Sequence, residues 1–245
     1  MADICPKCHG TGFELRTGDG GVISSQSCAC QLDDRGSRLL RASRIPKRYE
    51  HCELDSFEVH DPSHAIALRT AREWSELWPA VRNGLLFVGA PGTGKTHLAV
   101  AIAKSLASDK GTRVLFYEQR ELLKALQGTF DADADQRESE ILGPVIEAEV
   151  LVLDDLGAGR TTAWARDVMH DVIAQRYNDD RPLIMTSNHP IDEPRAERGG
   201  RPGGSLTLKD RLGDALMSRM YEMCRIVPLR GKDYRSGVLH AKHHF

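Results

Sequence analysis

No stretch of the 245-residue chain approaches the run of about 20 apolar residues that a helix needs to cross a bilayer. The N-terminus, MADICPKC, also lacks the basic-then-apolar order of a secretory signal. Together these absences lead to the expectation of a cytoplasmic chain with no membrane partner. An excess of one charge sign is missing too: 33 Lys and Arg stand against 35 Asp and Glu, a net charge of −2. That balance excludes a generally basic nucleic-acid coat of the histone kind and leaves any nucleic-acid contact to local patches. There is no internal repeat, and no aromatic-rich platform interleaves with the basic residues, so base-stacking recognition of single strands has no visible basis in composition.

What is present begins with cysteine. Four of the six cysteines fall in the first 34 residues, among clustered Gly, Ser and Asp with little apolar periodicity, so hydrophobic burial is not what folds that piece. Cys5-x-x-Cys8 and Cys28-x-Cys30 are separated by about 20 residues, near the zinc-ribbon spacing, with the second pair one residue tighter than the usual Cys-x-x-Cys. Thiols stay reduced in the cytosol, and four thiolates complete a tetrahedral Zn²⁺ shell. The expectation is a zinc-binding module over residues 1–34 whose folding depends on the metal. His9 is able to replace a thiol, and free thiols or a redox pair form the other reading. Cys52 and Cys224 read as ordinary apolar-site cysteines.

Residues 35–60 read as a basic linker. RGSRLLRASRIPKR places Arg35, Arg38, Arg41, Arg44 and Lys47 at every third position, a stripe that either follows a phosphate backbone or is simply solvated. The Ile45-Pro46 step ends any helix formed there. Over 61–245 apolar strands alternate with amphipathic helices: helix 61–78, strand 85–88, helix 95–108, strand 113–117, helix 120–126, a helix around 137–147, strand 150–153, helix 163–177 and strand 183–186. Continuous apolar strands joined by crossover helices imply an α/β fold with a parallel sheet covered on both faces. The Gly-, Pro- and Arg-rich stretch 193–205 reads as a mobile surface loop.

The strongest chemical signal is Gly89-Ala90-Pro91-Gly92-Thr93-Gly94-Lys95-Thr96, which matches G-x-x-x-x-G-K-[ST] directly after an apolar strand and before a helix. Glycines let the backbone curl so that successive N–H groups face phosphate oxygens, and the helix start adds its positive dipole end. Lys95 is expected to reach the β- and γ-phosphates of ATP and Thr96 to take one Mg²⁺ position. Val150-Leu151-Val152-Leu153-Asp154-Asp155 supplies acids where an apolar strand ends, the place where open α/β sheets bind ligands. Asp154 is the candidate Mg²⁺ partner; Asp155 is the candidate to orient or deprotonate the attacking water, with a shorter reach than Glu. Asn188, at the end of the strand 183–186, is placed to touch the γ-phosphate or that water.

With these residues in view the chain resembles AAA+ ATPases, specifically the DnaC/DnaI helicase loaders and the related IstB transposition ATPases. The resemblance covers residues 45–236 and rests on GAPGTGKT, LVLDDLG, MTSN, LGDALMSRM and Asp233-Tyr234-Arg235, all in family order. It implies a P-loop ATPase that works as a homo-oligomer with its site between subunits, with a replicative DNA helicase and single-stranded DNA as partners. On it, Asn188 is the sensor-1 position, Arg219 the arginine finger offered to a neighbour and Arg235 the sensor-2 arginine, with Arg211 and Arg225 as rivals for the finger. A guanidinium from another subunit would make hydrolysis depend on assembly. Two departures stand out: Ala215 where some loaders carry a further arginine, and the long 193–205 insertion. Cysteine-bearing N-terminal modules occur in DnaI-type loaders, whereas CPKCHGTG occurs once here and not in the several copies of a DnaJ chaperone. An IstB-like role in transposition and a nucleotide switch with little hydrolysis are the alternatives to helicase loading.

Overall fold

The computed structural model describes residues 5–9, 11, 13–17, 23–128, 134–159, 162–191 and 206–236. The stretch 193–205 lies outside them, as do the side chains of residues 15–17, 23, 27, 29–34 and 134–136, and Cys30 with them.

Two short strands open the chain, β1 (Phe13–Thr17) and β2 (Ile23–Ser27), paired antiparallel with Phe13 opposite Ser27. Helix α1 (Ala29–Ala42) follows, crosses position 34 and packs along α3 (Lys95–Asp109). Its basic residues are partly engaged by the rest of the molecule: Arg35 Nη2 donates to the Gly111 carbonyl at 3.2 Å, and just beyond the helix Arg44 lies over the Tyr117 ring. Helix α2 (Pro62–Leu77) starts where Asp61 accepts a hydrogen bond from the Ser63 N–H and Pro62 occupies the first turn, whose amide would have no helical partner anyway.

The main sheet has five parallel strands: β3 (Gly84–Gly89), β4 (Val114–Glu118), β5 (Val150–Asp154), β6 (Leu183–Ser187) and β7 (Cys224–Leu229), in the order β4-β5-β6-β3-β7. Between them run α4 (Gln119–Gln127), α5 (Ala134–Glu147), α6 (Ala163–Asn178), α7 (Leu208–Leu212) and α8 (Asp214–Met223). Strand periodicity divides the core in two. Leu85, Phe87, Phe116 and Val152 face the layer built by α2 and α3, and Leu86, Val88, Leu151 and Leu153 face the layer of α6, α7 and α8. Burial on both faces is why these strands read as unbroken apolar runs.

The expected elements are present with ends shifted by one to three residues, and β1, β2, α7, α8 and β7 are additional. None of the described helices is long and apolar enough to cross a membrane. In the parallel register, Val88 is opposite Ser187 and Leu153 opposite Met185. The carboxyl ends of β3, β6 and β5 therefore open onto one edge.

Candidate nucleotide site

The loop leaving β3 closes because Gly92 and Gly94 adopt φ of +74° and +93°, a region open to glycine at little cost. Thr93 Oγ1 and Lys95 Nζ both donate to the Ala90 carbonyl, at 2.9 and 2.7 Å. Lys95 is only 5% exposed, and burial pulls its ammonium down to about 8, against the opposing pull of Asp154 and Asp155. A buried ammonium held by a neutral carbonyl is poorly compensated, and an anion in the loop would supply the missing charge. The residues present therefore suit a phosphate.

Beside the loop, Thr96 Oγ1 donates to Asp154 Oδ1 at 2.7 Å, and Thr186 Oγ1 donates to the same oxygen at 2.7 Å. Asp154 is 4% exposed; burial raises its carboxyl pKa while the Thr186 and Thr96 hydrogen bonds oppose that rise. A carboxylate and a hydroxyl on adjoining elements are the oxygen donors a Mg²⁺ ion takes from protein. Thr186 accepts in turn from the Asp155 N–H at 2.9 Å, and Asp155 Oδ1 accepts from Asn188 Nδ2. Asp155 sits at φ +55°, a conformation that a non-glycine residue keeps only where its surroundings fix it. Here its amide is held by Thr186 and its carboxylate by Asn188.

The segment after Asp155 is braced from two sides. Buried Gln119 accepts the Gly157 N–H at 2.7 Å, and Arg211 Nη1 donates to the carbonyls of Gly157 and Gly159 at 2.9 and 2.7 Å. Arg211 is thus engaged within its own chain. Arg219, on α8, donates to His170 Nε2 of α6, and Arg225 is exposed on β7. At the other end of the site the Tyr234 N–H donates to the Gly92 carbonyl at 3.1 Å, and a Cβ added to Gly92 would stand 1.7 Å from Asp233 Oδ1. Arg235 follows, its amide bonded to Asp233 Oδ1 at 2.9 Å and its charge among those that depress Lys95. The fold thus gathers Lys95, Thr96, Asp154, Asp155, Asn188 and the Asp233–Arg235 segment, and leaves Arg219 bound to His170.

Three contributors carry no distinct signal in the sequence: Thr186, Gln119 and Asp233. Thr186 lies inside the quoted MTSN, where a β-branched residue in a buried strand looks like any core residue. Asp233 lies in Asp233-Tyr234-Arg235, where the family resemblance assigns a role to the arginine alone.

In the N-terminal part, the sulfurs of Cys5, Cys8 and Cys28 lie within 4.8 Å of one another. Cys5 Sγ and Cys28 Sγ are 3.8 Å apart. Thiolates about 2.3 Å from a tetrahedral zinc stand about 3.8 Å from each other, so the spacing suits the metal. Cys28 Sγ also donates to Glu14 Oε1 at 3.0 Å, a proton that metal binding would displace. His9 is exposed at φ +51°, and Cys52 and Cys224 are buried.

The family model for IstB-like ATP-binding proteins matches residues 22–241. The replicative helicase loader DnaC of Escherichia coli strain K12 is 26% identical over 209 residues, which is 84% of this chain and 83% of that protein. Among solved structures, a crystal structure of the DnaC helicase loader is similar with a TM-score of 0.64 at 34% identity, covering 75% of this chain and 99% of that one. The structure of DnaI, 24% identical, shares the fold with a TM-score of 0.60 over 78% of this chain and 95% of that one. The chain belongs to the DnaC/IstB-like family of AAA+ ATP-binding proteins.

Proposed function

We propose that this chain is a cytoplasmic ATPase that loads a replicative DNA helicase, with hydrolysis tied to homo-oligomer assembly and to single-stranded DNA. The observation that carries the enzymatic part is the unbroken hydrogen-bond chain from Thr96 through Asp154, Thr186 and Asp155 to Asn188. It joins the groups that would hold the metal to the group that would prepare the water. Loop amides of residues 89–96 and the Lys95 ammonium bind the phosphates, and Thr96 and Asp154 hold Mg²⁺. The ion, when bound, neutralises phosphate charge. Asp155 orients the attacking water or takes its proton, Asn188 fixes the Asp155 carboxylate, and Arg235 adds positive charge beside Lys95. Arg219 leaves His170 to reach the site of a neighbouring copy.

Loading as the purpose is supported by the helicase-loader role of the DnaC relatives. A zinc module at Cys5, Cys8, Cys28 and Cys30 would be the docking piece for the helicase. Two other readings have their own support. The match to IstB-like ATP-binding proteins, together with the sequence resemblance to IstB transposition ATPases, favours assistance to DNA transposition, which the genomic neighbourhood tests. The short Asp155 carboxylate, already bonded to Asn188, favours a switch with little hydrolysis. ATP turnover by the purified full chain, alone and with single-stranded DNA and the source cell's replicative helicase, separates them. Stimulation by helicase and DNA together is expected; a rate equal to background with both present points to the switch.

A further inference from the structure

Next to Thr96 in the chain, at His97, the fold assembles a second group of side chains able to bind a metal. His51 and Cys52 belong to the segment between the 3₁₀ turn at Lys47–Tyr49 and α2; His97 is in the first turn of α3. One ring nitrogen each of His51 and His97 and the Cys52 sulfur all lie within 4.8 Å of one another, with His51 Nε2 3.8 Å from Cys52 Sγ. Nitrogen and sulfur ligands about 2.0 and 2.3 Å from a tetrahedral zinc stand about 3.5 Å apart, so a small closure completes the geometry. His97 Nε2 is 2.8 Å from the Glu53 carbonyl. A carbonyl only accepts, so in this hydrogen bond Nε2 carries the proton, which leaves Nδ1 as the ring nitrogen able to take a metal. The burial order also suits a site with an entrance: Cys52 is buried, His97 half-buried and His51 exposed. Glu53 and Lys104 pair with each other at the margin, so neither leaves an uncompensated charge beside the ion.

We propose that His51, Cys52 and His97 form a metal site for a borderline-soft divalent cation of the zinc type, separate from the N-terminal thiols and from the magnesium position. Two imidazoles and one thiolate select zinc-like ions over magnesium, which takes oxygen ligands, and water fills the fourth position. Because His97 directly follows Thr96 on α3, the bound ion ties the segment ahead of α2 to the helix that carries Lys95 and Thr96. This assignment does not depend on helicase loading or on hydrolysis.

The test uses the full chain, made metal-free and titrated with Co²⁺ as a spectroscopic substitute for Zn²⁺, in four forms: unaltered, His51→Gln, Cys52→Ala, and Cys5→Ser combined with Cys28→Ser. His51 is exposed, so its replacement leaves the fold intact, which circular dichroism checks. The unaltered chain should bind one equivalent more than His51→Gln and Cys52→Ala, with affinity at this site falling by about 100-fold or more in the variants. The doubly substituted chain should keep a thiolate-to-cobalt charge-transfer band, which the Cys52 thiolate then supplies. Equal stoichiometry in the unaltered and His51→Gln chains, or loss of all cobalt binding on substituting Cys5 and Cys28, overturns the proposal.

Discussion

Thr96, in the first turn of α3, and Asp154, the last residue of β5, are joined by a 2.7 Å hydrogen bond from Thr96 Oγ1 to Asp154 Oδ1. The bond links the phosphate loop to the acid-bearing strand two positions away in the sheet. It also holds two oxygen donors together, which would lower the ordering cost of binding a cation there.

Asp154→Asn should separate the two demands on this residue. Burial raises the Asp154 pKa, so the folded state holds the proton more tightly than the unfolded chain, and this group's contribution to stability is lost as pH rises through its folded pKa. Removing the charge should leave the melting temperature near pH 7 unchanged or higher, since an amide oxygen still accepts from Thr96 and Thr186. ATP turnover in magnesium should fall by about 100-fold or more. Parallel thermal melts and turnover assays check both halves, and a large drop in melting temperature would contradict the first.

Gly92→Ala tests the contact between the phosphate loop and the C-terminal segment. The added Cβ would lie 1.7 Å from Asp233 Oδ1 and 2.9 Å from its Cα, at a backbone φ of +74°. Trimming Asp233 relieves the first clash and not the others. The expected outcome is weaker ATP binding together with faster proteolysis after residue 230, and Gly92→Ala with Asp233→Ala should recover only part of the affinity.

Arg176 is fully buried, with Nη1 donating to the carbonyls of Val145, Ile146 and Ala148 and Nη2 to that of Pro182, all at 2.9 Å. It fastens the end of α5 to the approach to β6. Arg176→Met leaves those carbonyls without a donor and should cost about 3 kcal/mol. A fall in melting temperature of roughly 6–12 °C is expected for a chain of this size. A fall of less than about 2 °C would mean that water replaces the guanidinium.

Arg219→Ala should leave ATP affinity near that of the unaltered chain and slow turnover only under conditions where copies assemble. Its bond to His170 supplies the control. If turnover falls equally in dilute, unassembled protein, the arginine braces α8 on α6 and the finger is one of its rivals.

The legible parts of this molecule are those whose chemistry restricts residue choice. The phosphate loop requires glycine at positive φ and a lysine at fixed spacing, and strands buried on both faces require unbroken apolar runs such as Val150–Asp154, so both stood out. Strand β7, CRIVPL, lies at a sheet edge, where Arg225 and Pro228 are tolerated because one side has no ladder to serve. Its pattern therefore did not read as a strand. Strand β2, ISSQS, is almost wholly polar, and β1, FELRT, offers only Phe13 and Leu15 as apolar residues, too short an alternation to stand out. Arg176 looked like any helix arginine, because its acceptors come from α5 and from the approach to β6, brought together only by the folded sheet. Thr186 and Gln119 were hidden for the same reason: their partners are 31 to 38 residues away.

The most direct test of the nucleotide site is calorimetric titration of the folded full chain with ATP and magnesium, beside Lys95→Ala, from about pH 7 to about pH 10. In the ligand-free fold burial lowers Lys95 from 10.5 to about 8, so its contribution to stability grows as pH rises through that interval, while its attraction for phosphate is lost. One ATP per chain is expected, with an affinity that declines above about pH 8 by up to tenfold per pH unit, and no tight binding by Lys95→Ala at any pH. Folded protein that takes up no ATP, or a Lys95→Ala chain that binds as well as the unaltered one, would contradict it.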